Sequence, residues 1–311
     1  MVYISNMDGD AKRLFPPKHP DKQSAKEALL MVVRREPRWL GHPQSRWSLE
    51  TILATCDWLN LKTLSGLSHL LKRLGISFKR ARSYVHSPDP DYEAKVNYLT
   101  LCRMRAGYEP QRYVFLYLDE VTYTRQPTLE RAYEATGHQQ AFAYRSYKAD
   151  TQFRGIGALN ATTGQVTYRQ HHKITLQHLS DFYAAICADY PDAETIYVAQ
   201  DNWPVHVHPD VVARLQPQRS PFWPIVPANW PQEARASAVQ ADLPIQMLFL
   251  PTYASWLNPI EKLWRWLRQD VLHLHRLSDN WQALKQAVLD FMQPFVAGSI
   301  ELLHYVGLLS V

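Results

Sequence analysis

Cysteine is scarce in this chain, and the three present (Cys56, Cys102, Cys187) lie far apart, which leaves neither a disulfide framework nor a zinc-binding spacing. They read as reduced core residues of a cytosolic protein. Long apolar runs are missing too. Val114–Leu118, the longest in the middle of the chain, is far below the ~20 residues that a membrane-spanning helix needs. The first twenty residues hold Asp8, Asp10 and several prolines but no apolar stretch, so they do not read as a signal peptide. No internal repeat is present. These absences point to a cytoplasmic protein with no membrane partner.

What is present is an ordinary globular composition, 46% hydrophobic and 20% charged over 311 residues. That length supports one main domain and a smaller attachment. Charge is unevenly placed. The chain carries a net +5, whereas its first 90 residues hold fifteen Lys and Arg against eight Asp and Glu. A basic first segment on a near-neutral body implies a polyanion-binding module beside a body with another task, although a solvated basic face would carry the same charge.

Residues 1–21 read as irregular. From Lys22 to Arg35 the apolar positions recur at helical spacing, with Ala25, Leu29, Met31, Val32 and Val33. Two further helices follow. One opens at Ser48 as N-cap and puts Leu49, Ile52, Leu53 and Cys56 on one face. The other runs from about Thr63 to Leu74 along Leu64, Leu67, Leu71 and Leu74, and Gly75 is placed to end it. Its remaining face carries Ser68, His69, Lys72 and Arg73, and the basic arm Lys79-Arg80-Ala81-Arg82 comes next. Helix, turn, helix and basic arm over residues 22–86 is the plan of a helix-turn-helix or winged-helix-like DNA reader; a plain helical hairpin fits the pattern as well. The DNA-binding candidates are therefore Ser68, His69, Lys72, Arg73, Lys79, Arg80 and Arg82.

Residues 87–110 read as a linker, Ser87-Pro88-Asp89-Pro90-Asp91, feeding a helix from about Tyr92 to Ala106. Residues 111–300 then change character. Arg112–Asp119 is β-prone, two strands flank Asn160–Gly164, a helix covers about Thr175–Tyr190, and Thr195–Ala199 and Gln246–Leu250 are short buried strands. Helices at about 259–272 and 280–296 complete an α/β fold, a mixed sheet with flanking helices. Within it, residues 216–244 hold six prolines with Trp223 and Trp230, an insertion that either packs on the domain's own surface or meets DNA or another subunit. Residues 301–311 are set apart as a C-terminal tail.

Three acids stand at the ends of apolar elements: Asp119 after Val114–Leu118, Asp201 after Ile196–Gln200, and Glu261 in the first turn of a helix. Strand ends and helix starts line the crevice of an open α/β sheet, so the three carboxylates can converge. Converging carboxylates repel one another unless hard divalent cations such as Mg²⁺ or Mn²⁺ neutralise them. Two such ions suit phosphodiester chemistry, since one activates the attacking oxygen and the other stabilises the leaving one. Plainer roles exist. Asp119 and Asp201 could cap turns, and Asn258-Pro259-Ile260-Glu261 fits a capping box with Glu261 four residues before Arg265.

The stretch Leu250-Pro251-Thr252-Tyr253-Ala254-Ser255-Trp256-Leu257-Asn258-Pro259-Ile260-Glu261-Lys262-Leu263-Trp264 resembles the LPPYSPxLNPIExxW signature of mariner-like transposases of bacterial insertion sequences. Tyr117-Leu118-Asp119-Glu120 is similar to their first-aspartate strand, and Asp201-Asn202-Trp203-Pro204-Val205-His206 to their DNxxxH motif. The likeness spans about residues 45–300. It implies a ribonuclease-H-like DDE endonuclease domain with Asp119, Asp201 and Glu261 as ligands of two Mg²⁺ ions, which Mn²⁺ can replace. Asn202 and His206 take a positioning role behind the second acid, with His206 favoured as a structural histidine over a metal ligand. The implied activity is transposition: cleavage at transposon inverted repeats and strand transfer into target DNA, typically at TA, by a homodimer that is nucleoid-associated when bound to DNA. Two departures stand out. Asp201 and Glu261 are sixty positions apart, wider than is usual, and the 216–244 stretch accounts for the excess. Only one of the family's two helix-turn-helix units is recognisable, so an N-terminally shortened, transposition-incompetent DNA-binding relic is the alternative, with a stand-alone nuclease as a further rival.

Overall fold

A computed structural model describes residues 3–5, 11–13, 21–79, 87–216, 220–238 and 241–309, and the chain divides into two units, Met1–Ser83 and Tyr84–Val311. In the first unit β1 (Tyr3–Ser5) and β2 (Ala11–Arg13) pair antiparallel, so the segment expected to be irregular contains strand. Tyr3 and Ile4 are strand formers, which is the local reason. α1 (Lys22–Val33) starts at Asp21, whose carboxylate accepts from the Ser24 amide at 2.8 Å. α2 (Leu49–Thr55) is capped by Ser48 as expected, with Thr51 closing a reciprocal capping box. α3 (Leu64–Leu74) is capped by Thr63 and ends at Gly75, whose φ of 69° is the left-handed conformation that glycine supplies without a steric penalty. The three helices share a core of Ala25, Leu29, Ile52, Cys56, Leu67, Leu70 and Leu74. Leu64 and Met31, read as apolar-face positions, are exposed instead.

The second unit opens on a correction. Ser87–Asp91, read as a linker, is tied down: the buried Ser87 hydroxyl donates to the Thr252 carbonyl at 2.6 Å, and Asp89 accepts from the Thr252 amide at 2.8 Å and from Lys95 Nζ at 2.7 Å. Two prolines stop helix and strand here, but they do not stop side chains from docking. α4 (Tyr92–Tyr108) follows, and then β3 (Tyr113–Thr124), β4 (Gln152–Asn160), β5 (Val166–His171), α5 (Leu176–Asp189), β6 (Thr195–Gln200), α6 (Pro209–Val212), β7 (Ile245–Phe249), α7 (Ile260–Leu267), α8 (Trp281–Met292) and α9 (Ile300–Val306). α7 runs on as a π-helical turn, Arg268–Leu272.

The five strands lie in the order β5-β4-β3-β6-β7, antiparallel across β5, β4 and β3 and parallel across β3, β6 and β7. Strand alternation splits the core between two faces. Tyr113, Phe115 and Tyr117 pack with Leu263, Trp264 and Leu267 of α7 and with residues of α4, α8 and α9. Val114, Leu116 and Leu118 pack with Leu179, Phe182, Tyr183 and Ile186 of α5. A strand buried on both faces reads as a continuous apolar run, which is why this one has no polar side. The sheet and its covering helices form the expected ribonuclease-H-like α/β fold, which follows the small helical unit in the chain.

One expected boundary differs. The segment 301–311, set apart as a tail, carries most of α9, and Leu302 and Val306 belong to the core with Lys262 Nζ donating to the Val306 carbonyl at 2.7 Å. Ser299 caps that helix and Gly307 ends it, so it holds at seven residues only by packing. The Pro/Trp-rich insertion lies on its own unit. Trp223 meets Phe249 edge-on, Trp230 lies against His208, and Arg235 pairs with the buried Asp210 at 2.6 Å. Among the described residues no helix is long and apolar enough to cross a membrane.

Candidate active site

Asp119 is not at a strand end. β3 continues five residues further because β4 keeps pairing with it as far as Thr124↔Gln152, while its parallel partner β6 stops short. The register explains why the spot matters. Tyr117 is level with Ala199, so two residues on, Asp119 and Asp201 reach the same level, just where β6 leaves the sheet. The crevice opens there, at the carboxyl ends of the parallel strands.

Asp119 faces the α7 side. Trp264 Nε1 donates to its Oδ2 at 2.9 Å. The indole reaches it only because Gly157, level with Asp119 on β4, has no side chain: a Cβ there would lie 2.6 Å from Trp264 Cη2. Trp264 is one turn after Glu261, on the same face of α7. Burial, the neighbouring Glu261 carboxylate and that of Glu120 together raise the Asp119 pKa to about 8, against the opposing pull of the Trp264 hydrogen bond. Burial that disfavours charge beside a second carboxylate is what a bound cation relieves.

Glu261 reaches this spot because the start of α7 is anchored to β3. Asn258 does not form the expected capping box; buried, it donates through Nδ2 to the Leu118 carbonyl at 3.0 Å, next to Asp119. The buried amide is satisfied by this carbonyl, so it is not spent on capping the helix. Among the described residues no ion pair joins Glu261 to Arg265. Past Glu261 runs a groove of about 610 Å³ between α4 and α7, bordered by Arg103, Lys262, Arg265 and Arg268.

Asp201 sits at the turn after β6. Its Oδ1 accepts from the Trp203 amide at 2.9 Å and lies 3.6 Å from His206 Nε2. Burial raises its pKa, but His206 and the Trp203 amide outweigh that and leave the carboxyl below its ordinary value. Asn202 staples the same turn to the end of β7, donating to the Leu250 carbonyl at 2.9 Å. His206 is fully buried and 3.6 Å from Glu120 Oε1, so the structure gathers Glu120, Asp201 and His206 within 4.8 Å of one another. Among the described residues that is the one such group, and Asp119 and Glu261 lie outside it. Sequence reasoning missed Glu120 and Trp264 as site residues. Both were in the quoted motifs, Glu120 directly after the first acid and Trp264 as the last letter of the signature.

Of the DNA-binding candidates, Ser68, His69, Lys72, Arg73 and Lys79 are exposed, the first four on α3. Arg80 and Arg82 lie outside the described residues.

The structure is similar to the Mos1 transposase paired-end complex with left transposon end (TM-score 0.58, 16% identity, 97% of this chain and 79% of that one). It is also similar to the Mos1 mariner paired-end complex with Mn (TM-score 0.58, 15% identity, 96% and 78%). By sequence the chain is 21% identical over 271 residues to the insertion element IS630 uncharacterized 39 kDa protein of Shigella sonnei, covering 86% of this chain and 71% of that protein. The family profile of DDE superfamily endonucleases matches residues 114–285, a span that holds Asp119, Asp201 and Glu261 and more than half of the chain. That match settles the family: the chain belongs to the DDE superfamily of endonucleases.

Proposed function

We propose that the chain is a DNA transposase that cuts DNA at transposon ends and joins the freed ends to a target, with Asp119, Asp201 and Glu261 as its metal ligands. The observation that carries this reading is the shared level of Asp119, on β3, and Asp201, just past the parallel strand β6, with Glu261 brought beside Asp119 by the Asn258 anchor. Oxygen-only donors next to a buried carboxyl that resists ionisation suit a hard divalent ion, Mg²⁺ with Mn²⁺ as substitute. Two such ions would lower the charge on the phosphate and favour the attacking and leaving oxygens of an in-line displacement.

The residues of the chain supply the rest. Trp264 fixes the rotamer of Asp119, and Asn202 fixes the turn that presents Asp201. Arg103, Lys262, Arg265 and Arg268 line a groove suited to the sugar-phosphate backbone on its way to Glu261. Ser68, His69, Lys72 and Arg73 on α3, with Lys79 shortly after it, give the first unit a DNA-reading face. Double-stranded DNA, as inverted repeats and target, is the partner this implies. The fold-related Mos1 protein is described in paired-end complexes, which supports a homodimer holding two ends.

A cleavage assay on DNA carrying the inverted repeats that flank the gene tests the reading. Cutting at the repeat ends that requires Mg²⁺ or Mn²⁺ is expected. Unspecific cutting would point to a nuclease instead, and binding without cutting to a transposition-incompetent relic.

A further inference from the structure

Glu120 follows Asp119 on β3 and so projects to the opposite face of the sheet, toward α5. There it meets His206, which is fully buried on the turn Pro204–Val207 behind Asp201. The ring's far side is fixed. Tyr183, buried on α5, gives its one hydroxyl proton to Gln200 Oε1 at 2.8 Å, so its oxygen is left to accept from His206 Nδ1–H at 3.3 Å. That contact leaves Nε2 as the nitrogen turned toward the carboxylates. Nε2 lies near two carboxylate oxygens, Glu120 Oε1 and Asp201 Oδ1, each 3.6 Å away. Neither Nε2 nor Glu120 Oε1 has a hydrogen-bond partner, and both are buried.

One imidazole nitrogen and two carboxylate oxygens thus converge on a single spot, and a positive centre there, a proton on Nε2 or a metal ion in its place, holds them together. We propose that Glu120, Asp201 and His206 form a binding site for one divalent transition ion, Mn²⁺ or Zn²⁺, distinct from the Asp119–Glu261 side and sharing Asp201 with it. The imidazole nitrogen favours Zn²⁺ over Mg²⁺ or Ca²⁺, and Mn²⁺, although hard, accepts one such nitrogen beside carboxylate oxygens. Ligands about 2.0–2.2 Å from a tetrahedral ion stand about 3.3–3.6 Å apart, which matches the spacing around Nε2. The Tyr183–Gln200 pair behind the ring is the outer hydrogen bonding that orients an imidazole ligand. Asp201, with 56% of its side chain exposed, offers the way in. The inference concerns ion binding by the DNA-free chain and does not depend on the cleavage reading.

The test is pulsed electron paramagnetic resonance on the full chain, made without a histidine tag, with Mn²⁺ added below one ion per chain. Nitrogen-14 modulation from an imidazole ligand is expected, lost in H206Q and kept in D119N and E261Q. E120Q is expected to weaken Mn²⁺ binding at least tenfold. Bound Mn²⁺ without nitrogen modulation in the wild-type protein would overturn the inference while leaving an all-oxygen site beside Asp119 intact. Absence of Mn²⁺ binding, or modulation that persists in folded H206Q, would overturn it as well. If H206Q fails to fold by circular dichroism, the affinity of E120Q decides: an unchanged value sinks the site.

Discussion

Asp119 and Glu120 are chain neighbours, yet the pleat of β3 sends them to opposite faces, and each meets its own set of partners. For Asp119 the raised pKa has a sign that can be measured. Its carboxyl holds a proton up to about pH 8 in the folded chain, against about 3.9 when unfolded. The folded state therefore suffers no penalty below about pH 4, loses stability as pH rises from there, and levels off above about pH 8. Metal-free protein should show a melting temperature that falls across that window. Asp119→Asn should flatten the slope and melt higher at pH 8, by roughly 4 °C or more at 2–4 °C per kcal/mol. The same variant should lose cleavage by more than about 100-fold, the upper range for losing a mere partner of a ligand. An unchanged pH slope would remove the buried-carboxylate account. Gly157 makes a second residue-scale case. A methyl group there meets the Trp264 ring at 2.6 Å, so Gly157→Ala should cost about 1–3 kcal/mol by overpacking. It should also lower cleavage by pushing the indole off Asp119. Thermal melts and cleavage rates of the one variant check both effects.

Elements are positioned here by single polar side chains as much as by apolar stripes. Asp89 holds the stretch before α4 to Thr252, within the signature that leads to Glu261. Burial works against its charge, but Lys95 and the Thr252 and Asp91 amides outweigh burial and depress its pKa. A depressed carboxyl stabilises the fold above its unfolded pKa, and the contribution fades as pH drops through the folded value. Asp89→Ala should thus destabilise the protein by about 1–3 kcal/mol near neutrality. The gap from wild type should close in acid, read by urea melts at pH 7 and pH 3. Such contacts also mark where sequence reasoning stops. The apolar run of β3, the stripe of α5, the Ser48 cap and the Gly75 stop were legible, because each is written in residues close together along the chain. Asp119 was misread as a strand end because charge interrupts the run, whereas pairing with β4 carries the strand on. Asn258 had a good local role as a helix cap, and a carbonyl on β3 claimed it instead. Glu120 was passed over since the histidine that gives it meaning comes from beyond β6, and only the folded sheet brings the two together.

At the scale of the whole molecule, the charge asymmetry and the division of the chain agree. The excess of Lys and Arg lies in the first unit, and the candidate acids lie in the second. If DNA is held mainly by the first and cut by the second, binding and cleavage should separate under substitution. Replacing Lys72, Arg73 and Lys79 together with alanine removes three exposed cations without touching the buried Leu67, Leu70 and Leu74, so the fold should survive. Each lost phosphate contact should make the plot of log affinity against log salt shallower by about 0.9, so the triple variant should lose up to about 2.7 in slope. At saturating DNA its cleavage rate should stay within a few-fold of wild type, because the crevice is intact. Glu261→Gln should behave in the opposite way, binding with an unchanged slope and failing to cut. Fluorescence anisotropy across a salt series, paired with single-turnover cleavage, reads both quantities on the same DNA. A triple variant with the full wild-type slope would move the DNA-reading surface off α3. The cationic groove beside Glu261 would then be the next place to look, since Arg103, Lys262, Arg265 and Arg268 line it together with Glu261.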